Sequence, residues 1–197
     1  MDDVHYLNLA ALALETEAEG PGRRIAFWVQ GCMRRCIGCC NPEMQPLREA
    51  CMVETGDLIR VLEQSHAMHD AEGVTFVGGE PLLQAEGLAD IAGWARGNGL
   101  TVLVFTGFLY PNVLDEHLPG VERLLASTDL LVDGPFEQEH YDTQRAWIGS
   151  TNQKLHHLTD VYPKGIEYQT PRQMEVRISA KDIIVNGWPY LFQKGRA

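Results

Sequence analysis

Short apolar runs that end at glycine constrain this chain more than any other feature. "IAFWVQG" (25–31), "GVTFVGG" (73–79), "LTVLVFTG" (100–107) and "DLLVDG" (129–134) are rich in β-branched or aromatic residues, and each stops at Gly. Such runs read as buried parallel strands, covered on both faces. "MEVRISA" and "DIIVNG" (174–187) repeat the pattern more weakly.

Helical patterns lie between them. Leu88, Ile91, Ala92 and Ala95 follow an i, i+3, i+4, i+7 stripe, and Leu58, Val61 and Leu62 begin another after the candidate cap Thr55. Strand alternating with helix predicts an α/β fold with a parallel sheet, open or partly closed as a barrel. Ligand sites of such sheets gather at the C-terminal ends of the strands. A cysteine-rich loop follows the first run and "GGEP" follows the second, so both are expected on one rim.

The 197 residues, 45% of them hydrophobic, suffice for one sizeable core. With no linker, repeat or low-complexity tract, residues 1–197 read as a single domain. The first residues lack the basic start of a signal peptide, and no run approaches the roughly 18 apolar residues of a membrane span. A soluble, cytoplasmic protein without membrane contact is expected. Sixteen Lys+Arg against 27 Asp+Glu give a charge of −11, which opposes nucleic acid. The polar stretch 134–154 is long for a connection, and Phe136, Trp147 and Ile148 within it argue for an ordered, functional loop.

Four of the five cysteines fall between Cys32 and Cys40. That crowding points to metal or redox chemistry rather than a disulfide framework. A structural zinc site needs four ligands, and would have to recruit Cys51 or a distant His. A thioredoxin-like pair, Cys36 and Cys39, leaves Cys32 and Cys40 unexplained. Three thiolates on one loop, Cys32, Cys36 and Cys39, suit a 4Fe–4S cube with one iron left open. Spacing alone leaves these alternatives standing.

"CMRRCIGC" followed by "VTFVGGEPLL" resembles the radical S-adenosylmethionine superfamily. Within it, "EGPGRRIAFWVQGCMRRCIGCCNPE", "VLVFTGF", "LLVDGPF" and "GSTNQ" are similar to the activating proteins of anaerobic ribonucleotide reductase and other glycyl-radical-enzyme activases. These stretches cover most of 19–153; 154–197 is a C-terminal segment of unassigned role. The resemblance implies an incomplete (β/α) barrel and an oxidoreductase whose 4Fe–4S cluster sits on Cys32, Cys36 and Cys39. It also implies S-adenosylmethionine at Gly78, Gly79, Glu80 and Pro81, with Thr106 and Asp133 on the same rim. The implied partners are a glycyl-radical-type enzyme and a flavodoxin- or ferredoxin-like electron donor. A radical enzyme acting on a small molecule or ribosomal peptide, and a non-catalytic iron–sulfur or zinc module, are the alternatives.

The remaining residues are less telling. Cys40 reads as a small neighbour of the cluster and Cys51 as a buried residue. Arg34 and Arg35 are a solvated loop tip, positive charge near an anionic cluster, or a patch for an acidic donor. Asn41 and Pro42 shape the loop exit, and Gly107 ends a strand. Asn152 and Gln153 contact a ligand, a partner or their own loop. His66 with His69, and His156 with His157, read as surface residues, and Trp28, Phe76 and Phe105 as core.

Overall fold

The computed structural model describes residues 4–66, 70–178 and 183–187. A hairpin of β1 (Tyr6–Thr16) and β2 (Arg24–Val29) opens the chain, and β3 (Cys51–Glu54) runs into α1 (Thr55–His66). Next come β4 (Gly73–Gly78), α2 (Ala85–Gly97), β5 (Thr101–Phe105), α3 (Val121–Ala126) and β6 (Leu130–Asp133). The chain continues through β7 (Lys154–His157), α4 (Ile166–Gln169), β8 (Met174–Ile178) and β9 (Ile183–Gly187).

The fold is mixed α/β, with one sheet of seven strands in the order β3-β1-β2-β4-β5-β6-β7 and a second sheet of β8 and β9. The four glycine-ended runs form the centre of the large sheet, where β2, β4, β5 and β6 pair in parallel. Antiparallel neighbours flank that centre: β1 and then β3 beyond β2, and β7 beyond β6. Among the described residues no helix is long and apolar enough to cross a membrane.

Register divides the residues between two faces. Phe27, Phe76, Val104 and Leu131 are matched across the four central strands, all fully buried, and share a core with Leu58, Leu62, Leu88 and Ile91 of α1 and α2. The stripe read in the sequence of α2 is thus the face laid on the sheet, while Val61 of α1 remains half-exposed. Ala26, Thr75, Leu103 and Leu130, one residue earlier in each strand, face the other way. That second face is covered by Ile148 of the 134–154 stretch and by Tyr162 and Ile166, rather than by α1 and α2.

At the N-terminal end of the strands Arg24 is wholly buried. Its guanidinium donates to Thr75 Oγ1 (2.6 Å), Val74 O (2.6 Å), Pro21 O (3.0 Å) and Thr101 Oγ1 (3.1 Å). One side chain therefore bolts β2, β4 and β5 together, and burial lowers its pKa from the ordinary arginine value.

Candidate functional site

The site begins where β2 and β4 end. Gly31 N donates to Met44 O (2.8 Å) and Cys32 N to Gln45 O (2.9 Å), so the cysteine loop returns to its own base. Gly79 N then donates to Val29 O and Glu80 N to Gly31 O, both at 2.8 Å, which seats the GGEP turn against that loop. A Cβ on Gly79 would stand 2.3 Å from Gly31 O and 2.9 Å from Met44 O. Glycine is required there because two backbones touch, a reason separate from any ligand.

Glu80 joins this corner to the next strand. Its carboxylate accepts from Thr106 Oγ1 (2.8 Å), Leu82 N (3.0 Å) and Gly107 N (2.8 Å), and the side chain is buried. Burial raises its pKa, against the lowering by these donors. Arg34 lies beside it, with its guanidinium carbon 4.1 Å from the centre of the Phe108 ring. This places Arg34 beside the cysteines, as in the reading that it brings positive charge near an anionic cluster, which the sequence offered along with a patch for an acidic donor and a solvated tip.

Cys32, Cys36, Cys39 and Cys40 line a cavity, with Gly78 to Pro81 and Thr106 on its wall. Backbone donors reach the sulfurs: Arg34 N to Cys32 Sγ and Asn41 N to Cys39 Sγ, both at 3.4 Å. Burial raises the Cys32 and Cys36 thiols, whereas a hydrogen bond from Cys40 is the main cause lowering Cys39 to about 6. Among the described residues no three His, Cys, Asp or Glu side chains converge as they would on a single metal ion. Three soft donors spread around a cavity suit a polynuclear iron–sulfur group, whose irons need ligands at separate corners.

Asp133 is not part of this wall. Its carboxylate accepts from Tyr110 N (2.8 Å) and Lys154 N (3.2 Å), and His156 Nε2 lies 3.0 Å away. Asp133 does stand on the expected rim, at the end of β6 next to Thr106, and there its carboxylate orders the exit of the strand. Cys51, expected to be buried, is exposed at the start of the edge strand β3. His156 and His157, expected at the surface, are half-buried on β7, with His156 packed edge-on to Tyr110 at 5.0 Å. His69 and the side chain of His66 lie outside the described residues.

The 134–154 stretch is an ordered strap. Arg145 and Asp142 form a buried ion pair (2.5 Å), and Arg145 also donates to Ser150 O and Gln153 O. Asn152 donates to Pro135 O and Gln153 to Gly134 O, so both bind their own loop, although Gln153 also lines the cavity. Phe136 and Trp147 of the strap reach the cavity wall, as do Trp28 and Phe105, which the sequence assigned simply to core. Glu19, Val185 and Gly187 complete the wall and were not anticipated. Aromatic residues in a polar stretch signalled the strap; nothing in "EGPG" or "DIIVNG" marked the other three.

Comparison with known proteins decides the family. A model described as a 4Fe-4S single cluster domain matches residues 18–156. The anaerobic ribonucleoside-triphosphate reductase-activating protein of Salmonella typhi is 31% identical over 146 residues, 71% of this chain and 91% of that protein. The chain belongs to the 4Fe–4S single-cluster family, among these activating proteins. Its counterpart from Enterobacteria phage T4 is 29% identical over 145 residues, covering 72% of this chain and 88% of that one. The pyruvate formate-lyase-activating enzyme of Streptococcus mutans is 30% identical over 139 residues, 67% and 53% of the two chains. The radical S-adenosylmethionine resemblance read from the two motifs is borne out by this family membership. The family match contains the cysteine loop, the GGEP turn and the strap, and stops before β8 and β9.

Proposed function

We propose that this chain is a radical S-adenosylmethionine activase that takes a hydrogen atom from a glycine of a partner enzyme. Cys32, Cys36 and Cys39 are its cluster ligands, and Gly78 to Pro81 with Thr106 receive S-adenosylmethionine. The observation that carries this reading is the meeting of three thiols and the GGEP turn on one cavity wall. A 4Fe–4S cluster held by Cys32, Cys36 and Cys39 would supply the one-electron reduction that cleaves S-adenosylmethionine to methionine and, after hydrogen transfer from glycine, 5′-deoxyadenosine.

The chain's own residues supply placement. Backbone N–H groups at Arg34 and Asn41 favour sulfur in its thiolate form, as a metal ligand requires. Glu80 spends its oxygens on Thr106, Leu82 and Gly107, so its work is to hold the turn open to a ligand at a fixed distance from β5. The methionine amino group is then left to the carbonyls of the turn. The strap and the aromatic residues wall the cavity, so a ligand there would be held apart from bulk solvent.

A flavodoxin- or ferredoxin-like protein in the cytoplasm is the proposed electron source. We read the large sheet as an incomplete (β/α) barrel and residues 1–197 as one domain. Helices on one face with the cavity on the other support that reading.

The deciding experiment is anaerobic reconstitution with iron and sulfide, reduction, and addition of S-adenosylmethionine with and without the cognate reductase. Expected are 5′-deoxyadenosine and a glycyl radical in the partner, neither of which forms with Cys36→Ala. A loaded cluster that neither cleaves S-adenosylmethionine nor responds to it spectroscopically refutes the reading.

A further inference from the structure

The β8–β9 hairpin lies beyond the family match, yet Val185 and Gly187 stand on the cavity wall. Three hydrogen bonds fasten it to the β1–β2 turn. Glu175 accepts from Thr16 Oγ1 (2.9 Å) and Glu17 N (2.6 Å), while Gly187 N donates to Glu19 Oε1 (2.6 Å). These contacts span more than 150 residues of sequence, so the hairpin is held by specific acceptors rather than by local folding.

The wall it completes is short of charge. Of the charged residues lining the cavity, Glu19 is bonded to Gly187 N, Glu80 is bonded to three donors, and Arg34 stacks on Phe108. The rest of that side is apolar: Ala18, Trp28, Val77, Phe136, Trp147 and Val185. Among the described residues the one cation lining the cavity, Arg34, lies against Phe108, and Arg177 of β8 is paired with Glu175 (3.1 Å), so neither is offered beside Val185 and Gly187 to a phosphate or carboxylate, and desolvating either without a partner is costly. A backbone segment without charge, centred on a residue that has no side chain, meets no such penalty.

We propose that the β8–β9 hairpin is the substrate-facing wall of the cavity, and that the apolar side it completes with Val185 and Gly187 selects a glycine-bearing polypeptide segment over charged small molecules. The proposal rests on the activase reading for its hydrogen abstraction, but the position of the wall is testable without any chemistry. Glu175 positions the hairpin, and Val185 faces the substrate.

The first test uses the full apo chain and a bulky maleimide, with exposed Cys51 as internal reference. In the native chain the four cavity thiols are protected relative to Cys51. Glu175→Ala removes two hydrogen bonds and accelerates their labelling, relative to Cys51, roughly tenfold or more, whereas a small alkylating reagent distinguishes the two proteins far less. An unchanged ratio overturns the wall. Circular dichroism of the variant separates loosening of the hairpin from loss of fold, because a globally unfolded variant would also be equally reactive to both reagents. In that event Glu175→Gln, which keeps one acceptor for the turn, decides: labelling faster than native with a native circular dichroism spectrum is expected, and an unchanged ratio overturns the wall.

The second test uses the reconstituted enzyme with its partner. Val185→Arg is expected to raise the 5′-deoxyadenosine released per glycyl radical about tenfold, because the cofactor is spent without productive placement of the polypeptide. An unchanged ratio overturns the selection of substrate. If the native enzyme forms no 5′-deoxyadenosine at all, the activase reading fails with it, and the labelling result still decides whether the hairpin is a wall.

Discussion

The cavity has two walls made in different ways. On the cysteine side, strand ends and loop are joined largely by backbone hydrogen bonds, with Gly79 pressed against Gly31 and Glu80 tied to three donors. On the hairpin side, the joints are carboxylates reaching across from distant sequence, Glu175 to Thr16 and Glu17 and Glu19 to Gly187. Backbone joints tolerate many side chains but no displacement; carboxylate joints can be gained or lost by one substitution. The family match covers the first kind of wall and stops short of the second.

The comparison breaks most severely at the thiols. Cys36→Ala should abolish both stable cluster loading and 5′-deoxyadenosine formation, read as iron and sulfide per chain and by product analysis. Next is Gly79→Ala, which drives a methyl into Gly31 O; a loss of about 2–4 kcal/mol in urea unfolding is expected. A cost below about 1 kcal/mol would mean that the two backbones can part.

The hairpin side should respond to pH instead. Burial raises the Glu19 pKa from 4.5 to about 7, opposed by the bond from Gly187 N and aided by the charge of Glu175. A raised carboxyl contributes stability that is complete below about 4.5 and is lost as pH climbs through about 7, here about 3 kcal/mol. Hydrogen exchange over residues 174–187 should therefore quicken from acid to neutral pH beyond its intrinsic rise, and Glu19→Gln should flatten the trend. Glu80→Gln comes below these, with about 2 kcal/mol expected from replacing an acceptor-only group facing three donors. Smallest is Cys40→Ser, which should retain iron and sulfide; loss of cluster would make Cys40 a ligand and redraw the cysteine wall.

The parallel centre of the fold was legible because four runs carried both hydrophobicity and a terminal glycine. β1 was not: "YLNLAALALET" holds Ala and Leu with the terminal Thr16 as its one β-branched residue, a composition favouring helix, and becomes a strand by pairing with β2 and β3. β7, "KLHH", is a polar edge with no pattern to read. At the site, Cys32, Cys36, Cys39 and GGEP stood out because their spacing is local. Asp133 was legible only as a rim residue, since a strand-end carboxylate looks alike in sequence whether it faces a cavity or the amides of Tyr110 and Lys154. Glu19 and Val185 could not be seen at all, because their meeting depends on a hairpin folded back across the whole chain.

Arg24 gives the central sheet an anchored end. By clamping β2, β4 and β5 at their N-terminal ends, it spares the joints that Gly79 and Glu80 make at the opposite ends from holding the sheet together alone. Such a division along the strand axis makes the scaffold evolvable. Loops at the far end can be lengthened, recharged or exchanged to meet new substrates while the clamp preserves the platform beneath them.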